Sequence, residues 1–163
     1  MASNPASKTT KRKATKPRAA QKVMSTSVRA NRNPVEISIL VPVMNEAGNI
    51  RPLIDEICTA FAGRRLEIIY IDDASNDATA NELAAALDAV PQLRVLRHAQ
   101  RAGQSAAIQS GLLQANGDLI GVLDGDGQNV PADFSALESS VIAASKDGKM
   151  VMAAGIRQRR DDS

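Results

Sequence analysis

A chain of 163 residues has room for one domain and a tail, and its formal net charge of +2 is unevenly distributed. Residues 1–35 contain nine Lys or Arg and no acidic residue, so the remainder carries all 18 acidic residues and a net charge of −7. The sequence therefore describes an acidic domain with a basic tail, and its lack of an 18-residue apolar run excludes a membrane-spanning helix within it.

The first 34 residues are predicted to be a disordered basic tail. They are rich in Ala, Ser, Thr, Lys and Pro, and they cannot bury enough apolar surface to offset the entropy cost of ordering. Without a continuous apolar run, the tail is neither a secretory signal nor a membrane anchor. A solvated leader, a transit peptide and peripheral contact with an anionic membrane stay open; each basic residue near such a membrane contributes about 1 kcal/mol. No specific nucleic-acid binding is expected from it.

From residue 35 onward, short β-branched runs alternate with helical stretches rich in Ala and Leu. The predicted strands are 35–43, 66–71, 93–97, 119–123 and 150–154, and the predicted helices are 46–62, 77–89, 105–116 and 132–145. Such alternation predicts a three-layer α/β/α domain over residues 35–163, with a mostly parallel sheet between two layers of helices. In these sheets the ligand binds at the carboxyl ends of the strands.

Polar residues collect at the predicted strand ends, in the turn 42–46, at Asp72 and Asp73, and in the turn 124–126. The first crossover contains only Gly48 where a dinucleotide-binding G-x-G-x-x-G motif needs three glycines, and no P-loop is present. A phosphorylated ligand could bind in this acidic pocket only with a cation between the carboxylates and the phosphates.

The acidic turn supplies ligands for that cation. Asp124, Asp126 and Gln128 offer a hard, all-oxygen set that suits Mg²⁺ or Mn²⁺, which also retains water and phosphate ligands. We expect Gly125 and Gly127 to permit the backbone angles of a tight turn.

Two other kinds of acidic site do not match the residues at their required positions. A calcium loop of the EF-hand type starting at Asp124 needs Gly at its sixth position and Glu at its twelfth, where the sequence has Asn129 and Ser135. A phosphoacceptor receiver domain needs an acidic pair after the first strand, which instead ends in Pro-Val-Met-Asn-Glu. A plain acidic turn stays open, and Asp72 and Asp73 remain either helix-cap residues or acceptors for a ligand base or ribose.

Four blocks recur in the order and spacing of a known family: VPVMNEAGNI, IIYIDDASNDAT, RAGQSAAIQSGLLQANGDLI and LDGDGQNVPADF. A fifth, AGIRQRRDD, is similar to the Arg-containing segment that follows the next strand in that family. On these blocks residues 39–155 resemble family 2 glycosyltransferases of the GT-A fold, closest to the dolichyl- and polyprenyl-phosphate sugar transferases. The resemblance implies metal-dependent, inverting transfer of a sugar from GDP-mannose or a UDP-sugar to a polyprenyl or dolichyl phosphate.

The resemblance also implies roles for individual residues. The residues expected to bind the donor are Pro42, Glu46, Asp72, Asp73, Arg101, Gly103 and Asp124. The residues expected to bind Mg²⁺ or Mn²⁺ are Asp124, Asp126 and Gln128. Asp126 and Arg157 are expected to be catalytic, with Arg157 facing the acceptor phosphate and Arg159 or Arg160 assisting it. Val130 departs from the polar residue that relatives often carry beside the metal turn.

No general base stands out for the transfer. His98, the only histidine, ends the third strand and is expected to have a structural or pocket-edge role. A lipid phosphate would remove the need for a base, since a phosphate monoester is largely ionised at neutral pH. The cluster of Arg157, Arg159 and Arg160 could bind its charge, which favours a polyprenyl-phosphate acceptor.

The single cysteine, Cys58, is expected to be apolar filler and fits a reducing compartment, which predicts a cytoplasmic protein. A location at the cytoplasmic face of a membrane stays open. Related catalytic domains continue beyond the point where this sequence stops, so the donor-binding domain is expected to be incomplete at its carboxyl end. The alternative function is a catalytically inactive module that retains nucleotide binding.

Overall fold

The structure, a computed structural model, describes residues 35–145 and 151–155, and its four strands form one parallel sheet. The strands are β1 (Ile37–Val43), β2 (Leu66–Asp72), β3 (Leu93–Arg97) and β4 (Leu119–Val122), in the order β3-β2-β1-β4. The helices are α1 (Ile50–Ala60), α2 (Thr79–Leu87), α3 (Gln104–Gln114) and α4 (Phe134–Ala144), the last preceded by a short 3-10 helix (Pro131–Asp133). The α/β alternation predicted from the sequence is confirmed.

Differences from the predicted elements are concentrated at two places. Helix α1 begins at Ile50 instead of residue 46, because Asn45 (φ 61°) and Gly48 (φ 90°) adopt left-handed conformations that a helix excludes. The strand predicted over 150–154 is wrong for the described residues 151–154, which belong to no strand. Its apolar composition suited a strand, but Met152 is 89% exposed and the segment has no paired neighbour within the described ranges. The predicted tail, 1–34, lies outside them.

The sheet is covered by helices on both faces. Because successive strand residues point to opposite sides, Ile39 and Val41 of β1 pack into the cluster that contains α1 and α2. Leu40 points the other way and packs with Ile71 and with Ala107 of α3. This arrangement is the predicted three-layer α/β/α fold. None of the helices in the described ranges is long and apolar enough to cross a membrane.

A buried polar cluster ties together the amino ends of the strands. The carboxylate of Glu67, which is 6% exposed, accepts hydrogen bonds from Ser38 Oγ at 2.6 Å, Arg94 Nη1 at 2.9 Å and the backbone amide of Asn116 at 2.5 Å. Burial alone would raise the pKa of Glu67, but these hydrogen bonds hold it below its usual value. Ser38 Oγ also accepts from the amide of Gly117 at 2.8 Å, so the cluster fixes the turn that leads into β4.

Candidate functional site

A cleft of about 370 Å³ opens at the carboxyl edge of the sheet, where β1, β2 and β4 end. Its lining residues are Pro42, Val43, Met44, Glu46, Asp73, Arg101, Gly103, Gln104, Ala107, Asp124, Gly125 and Asp126. The fold thus brings together seven of the predicted site residues, namely Pro42, Glu46, Asp73, Arg101, Gly103, Asp124 and Asp126. They meet because the carboxyl ends of parallel strands lie at the same edge of the sheet.

The turn after β1 forms one wall of the cleft, and side chains near the start of α2 fix its backbone. The amide of Asn45 donates to Ser75 Oγ at 3.0 Å, and the amide of Glu46 donates to Thr79 Oγ1 at 2.9 Å. The carboxylate of Glu46 accepts a hydrogen bond from Asn49 Nδ2 at 3.0 Å. The first two bonds satisfy backbone donors that neither a helix nor the sheet pairs, so the turn holds Glu46 at the edge of the cleft.

Asp72, the last residue of β2, lies beneath the surface of the site. It is 1% exposed, and its Oδ1 accepts a hydrogen bond from the amide of Ser75 at 2.8 Å. Its Oδ2 has no hydrogen bond but lies 3.2 Å from Nε of Arg97, an ion pair whose angles are not those of a hydrogen bond. Asp72 is not among the residues that line the cleft, so its visible contacts serve the turn between β2 and α2.

Asp73 lines the cleft and is bonded on three sides. Its Oδ1 accepts from His98 Nδ1 at 2.7 Å and from the amide of Ala102 at 2.8 Å, and its Oδ2 accepts from the amide of Gly103 at 2.7 Å. Burial would raise the pKa of Asp73, but the hydrogen bonds from Ala102, His98 and Gly103 lower it overall. The carboxylate is therefore ionised at neutral pH and anchors the loop that carries Arg101.

The acidic turn lines the same cleft as Asp73. Asp124 accepts hydrogen bonds from Gln104 Nε2 at 2.9 Å and from Asn129 Nδ2 at 3.0 Å, and Asp126 Oδ1 accepts from the amide of Gln128 at 3.0 Å. Both Asp side chains are exposed to the cleft, so each retains oxygen lone pairs for a further ligand.

The two glycines of this turn meet different structural requirements. Gly127 has φ 72°, the left-handed conformation expected from the sequence. Gly125 has no positive φ, so the sequence-based reason for it is wrong. A Cβ at Gly125 would lie 2.4 Å from Val43 Cγ1 and 3.2 Å from the carbonyl oxygen of Pro42, which shows that the turn packs directly on the end of β1.

The donor set fits a hard divalent cation held partly by other ligands. Asp124 and Asp126 share one cleft, whereas Gln128 does not line it. Across the described residues, no group of three or more His, Cys, Asp or Glu side chains could enclose a metal. Two carboxylates without an enclosing cage match Mg²⁺ or Mn²⁺, which retain waters and ligand phosphates, better than they match a fully protein-bound ion.

The charge of the cleft is predominantly negative. Four of its lining residues are acidic and one is basic: Glu46, Asp73, Asp124, Asp126 and Arg101. A phosphorylated ligand would meet net repulsion here unless a cation is bound between it and the acidic turn. The predicted Arg157, together with Arg159 and Arg160, lies outside the described residues.

Sequence reasoning missed Gln104. This residue lines the cleft and connects the first turn of α3 to Asp124 through a single hydrogen bond. The available signal was its position directly after Gly103, at a helix start that faces a strand-end site. The bond to Asp124 spans 20 residues of sequence, so local patterns do not reveal it.

Comparison with known proteins assigns the family. Residues 38–162 match the sequence model of glycosyl transferase family 2, which is well over half of the chain. The chain belongs to this family. The resemblance noted from its sequence blocks is thereby confirmed.

Curated members of the family resemble this glycosyltransferase chain over most of its length. It is 34% identical over 144 residues to a dodecaprenyl-phosphate galacturonate synthase from Rhizobium johnstonii, covering 83% of this chain and 40% of that protein. It is 36% identical over 133 residues to an undecaprenyl-phosphate 4-deoxy-4-formamido-L-arabinose transferase from Klebsiella pneumoniae, covering 78% and 38% respectively. The chain therefore spans about two-fifths of the length of these relatives.

Solved structures agree on the fold. A mannosyltransferase from Pyrobaculum calidifontis, in complex with GDP-Man and Mn²⁺, matches with a TM-score of 0.55 and 26% identity over 63% of this chain and 30% of that one. Staphylococcus aureus TarS in complex with UDP-GlcNAc matches with a TM-score of 0.55 over 66% of this chain and 31% of that one, at 20% identity, which supports the fold alone. The predicted GT-A class is confirmed by these glycosyltransferase neighbours.

Proposed function

We propose that the cleft binds the nucleoside diphosphate of a sugar donor through Mg²⁺ or Mn²⁺, as part of an inverting transfer to a polyprenyl or dolichyl phosphate. The observation that carries this proposal is the meeting of Asp124 and Asp126 with Asp73 and Arg101 in one acidic cleft. Such a cleft accepts a diphosphate only together with a cation, and the acidic turn offers the oxygens that such a cation prefers.

Asp124 and Asp126 would hold the cation, with Gln128 as the third ligand that the sequence suggested. When bound, the cation supplies Lewis-acid stabilisation of the charge that develops on the departing nucleoside diphosphate. Gln104 and Asn129 orient Asp124 through its carboxylate, which holds the turn in place before the donor arrives. Asp126, which lines the same cleft, would serve both as a ligand and in catalysis.

The nucleoside would lie between the end of β1 and the loop before α3. Pro42 and Glu46 form one side of this space, and Arg101 and Gly103 form the other. Asp73 shapes its floor by holding the loop, and Asp72 supports the floor from below. The Pyrobaculum neighbour, solved with GDP-Man and Mn²⁺, supports a guanine nucleotide as the first donor to test.

A lipid phosphate is the proposed acceptor. The Rhizobium and Klebsiella relatives carry dodecaprenyl phosphate and undecaprenyl phosphate in their names. An ionised phosphate is already nucleophilic and needs no general base, in keeping with a cleft whose lining residues include no histidine. We assign Arg157 to the acceptor phosphate, with Arg159 or Arg160 assisting, and the basic tail to contact with the cytoplasmic face of a membrane.

Calorimetry with GDP and UDP tests the proposal. We expect the chain to bind one of them in the presence of Mn²⁺ and to lose that binding in EDTA, because without a cation the carboxylates would repel the diphosphate. Replacing both Asp124→Asn and Asp126→Asn should weaken binding at least tenfold, since each removes a charged metal ligand. A double variant that keeps the wild-type affinity would refute the metal assignment.

The matched control removes two charges elsewhere. Asp88 and Asp118 are exposed and follow α2 and precede β4 at the opposite edge of the sheet, so Asp88→Asn with Asp118→Asn should leave nucleotide affinity unchanged. Turnover of the donor with a polyprenyl phosphate then separates the transferase from an inactive binding module, since only the transferase releases the nucleoside diphosphate.

A further inference from the structure

A chain of side-chain hydrogen bonds runs from helix α3 to the cleft through His98. The imidazole Nε2 lies 2.9 Å from Ser110 Oγ on α3, and Nδ1 lies 2.7 Å from Asp73 Oδ1. The same carboxylate accepts the amides of Ala102 and Gly103 at 2.8 and 2.7 Å. The Asp73 carboxylate therefore connects His98 to the loop that contains Ala102 and Gly103.

The protonation of the ring follows from its partners. Asp73 is an ionised acceptor, so Nδ1 of His98 must carry the proton and donate it. The hydroxyl of Ser110 can either donate to Nε2 or accept from it, so this contact suits both forms of that nitrogen. The bond to Asp73 thus requires His98 to be the donor. The bond to Ser110 is permissive, in the sense that either partner can donate.

The loop that Asp73 holds has few other restraints in its backbone. Residues 99–103 belong to no helix or strand, and Gly103 adopts φ 91° as it starts α3. Two consecutive amides of this loop donate to the one carboxylate, and Arg101, which lines the cleft, immediately precedes them. The position of Arg101 therefore depends on how firmly Asp73 is held.

We infer that His98 is a positioning residue for donor binding, which fixes the Asp73 carboxylate so that the loop presents Arg101 to the phosphorylated ligand. The inference rests on the proposed function for its ligand. It does not rest on that function for the arrangement of the loop.

The same connectivity in a hydrolase would make Ser110 a nucleophile, with His98 as its base and Asp73 as the orienting acid. Two features of the structure oppose that role. Ser110 lies inside helix α3 and is not among the residues that line the cleft. The Asp73 carboxylate, moreover, is already engaged by the loop amides that lead to the cleft. The arrangement serves to hold the loop.

Two similar substitutions separate the bonds of His98. The side-chain nitrogen of Asn falls near the position of imidazole Nδ1, so His98→Asn keeps a donor for Asp73 and loses the contact with Ser110. The nitrogen of Gln reaches the position of Nε2, so His98→Gln keeps a partner for Ser110 and loses the donor to Asp73. Ser110→Ala serves as the control in which only the permissive contact is removed.

Hydrogen exchange of the Ala102 and Gly103 amides is the first measurement, and it needs no ligand. We expect faster exchange at both in His98→Gln than in the wild type, and little change in His98→Asn or Ser110→Ala. Equal exchange in the Asn and Gln variants would overturn the inference, whatever the protein binds.

Affinity for GDP or UDP with Mn²⁺ is the second measurement. We expect His98→Gln to bind about tenfold more weakly, the usual effect of losing a hydrogen bond to a charged group, and His98→Asn to bind like the wild type. Arg101→Ala should add little further loss in the His98→Gln background, because both changes remove the same contact. If the losses of affinity caused by Arg101→Ala and His98→Gln add fully, His98 does not act through Arg101. If His98→Gln speeds exchange as expected but the wild-type chain binds neither nucleotide, the proposed function is contradicted, while His98 remains the residue that holds the loop.

Discussion

The contact between the acidic turn and the end of β1 predicts a specific effect of Gly125→Ala. The new Cβ would lie 2.4 Å from Val43 Cγ1, more than 1 Å inside the 3.5–4.0 Å at which carbon atoms pack favourably. Val43 is 3% exposed and pairs with β2, so β1 has little freedom to yield. The turn, whose Asp124 and Asp126 are exposed, is therefore the part that moves.

Overpacking of this kind costs about 1–3 kcal/mol. If the turn moves to relieve the overlap, the two carboxylates no longer point to the same position. The cost then appears as Mn²⁺ binding that is weaker by about five- to 150-fold. If the turn stays in place, the same cost appears as a lower free energy of unfolding. The loss of Mn²⁺ binding free energy and the loss of unfolding free energy should therefore add up to the cost of the contact.

The assay combines Mn²⁺ titration, followed by the electron paramagnetic resonance of the free ion, with urea denaturation. The decisive variant is Gly125→Ala combined with Val43→Ala, which removes the methyl group that the new Cβ would meet. Val43→Ala alone should lower stability by about 2 kcal/mol through the loss of two buried methyl groups. In that background Gly125→Ala should cost at least 1 kcal/mol less than in the wild type.

Gly127→Ala supplies the contrast. Nothing lies within 4 Å of a Cβ there, but φ is 72°, so its cost of about 1–2 kcal/mol comes from the backbone and Val43→Ala should not relieve it. The reasoning fails if Gly125→Ala binds Mn²⁺ and unfolds like the wild type, or if Val43→Ala relieves both glycine variants equally.

Two further predictions concern the buried polar groups. Because hydrogen bonds hold the pKa of Glu67 below its unfolded value of about 4.3, its contribution to stability is complete above that value and is lost as the pH falls through the folded pKa. Glu67→Gln should therefore lower the free energy of unfolding at pH 7 by about 1–3 kcal/mol. The free energy of unfolding of this variant should also depend less on pH between pH 5 and 3 than that of the wild type. An unchanged pH dependence would contradict this prediction. Tyr70 is fully buried, and its hydroxyl has no hydrogen-bond partner within the described ranges. Tyr70→Phe should therefore raise the free energy of unfolding by about 1 kcal/mol in urea denaturation. A lower free energy of unfolding would show that the hydroxyl does form a hydrogen bond.

The order and class of the elements could be predicted because each has its own local signal. Strand β2 is continuously apolar and is covered on both faces, and β3 begins and ends at the predicted residues. The prediction of a strand at 150–154 was wrong because a local signal is not sufficient for a strand. A strand exists only through pairing, and the composition of a segment does not say whether a neighbour is available for it.

The site could be predicted as a set of positions but not as a set of contacts. Parallel topology places strand-end residues together, and this was sufficient to bring Pro42, Asp73 and Asp126 to one cleft. It could not distinguish Asp73, which faces the cleft, from Asp72, which lies beneath it, because adjacent residues at a strand end point in opposite directions. Nor could it reveal that Gly125 is needed for close packing instead of for its φ angle.

The strand order β3-β2-β1-β4 also implies an order in which the parts of the cleft form during folding. Strands β1 and β2 are joined by a short crossover, so the wall containing Glu46 and Asp73 can form early and locally. The acidic turn reaches its place only when β4 pairs with β1, which joins Ile37 to Leu119 across about eighty residues of chain. During synthesis the residues proposed to contact the nucleoside would be in place before those proposed to bind the cation. Cation binding would therefore report the last long-range step of assembly of these strands.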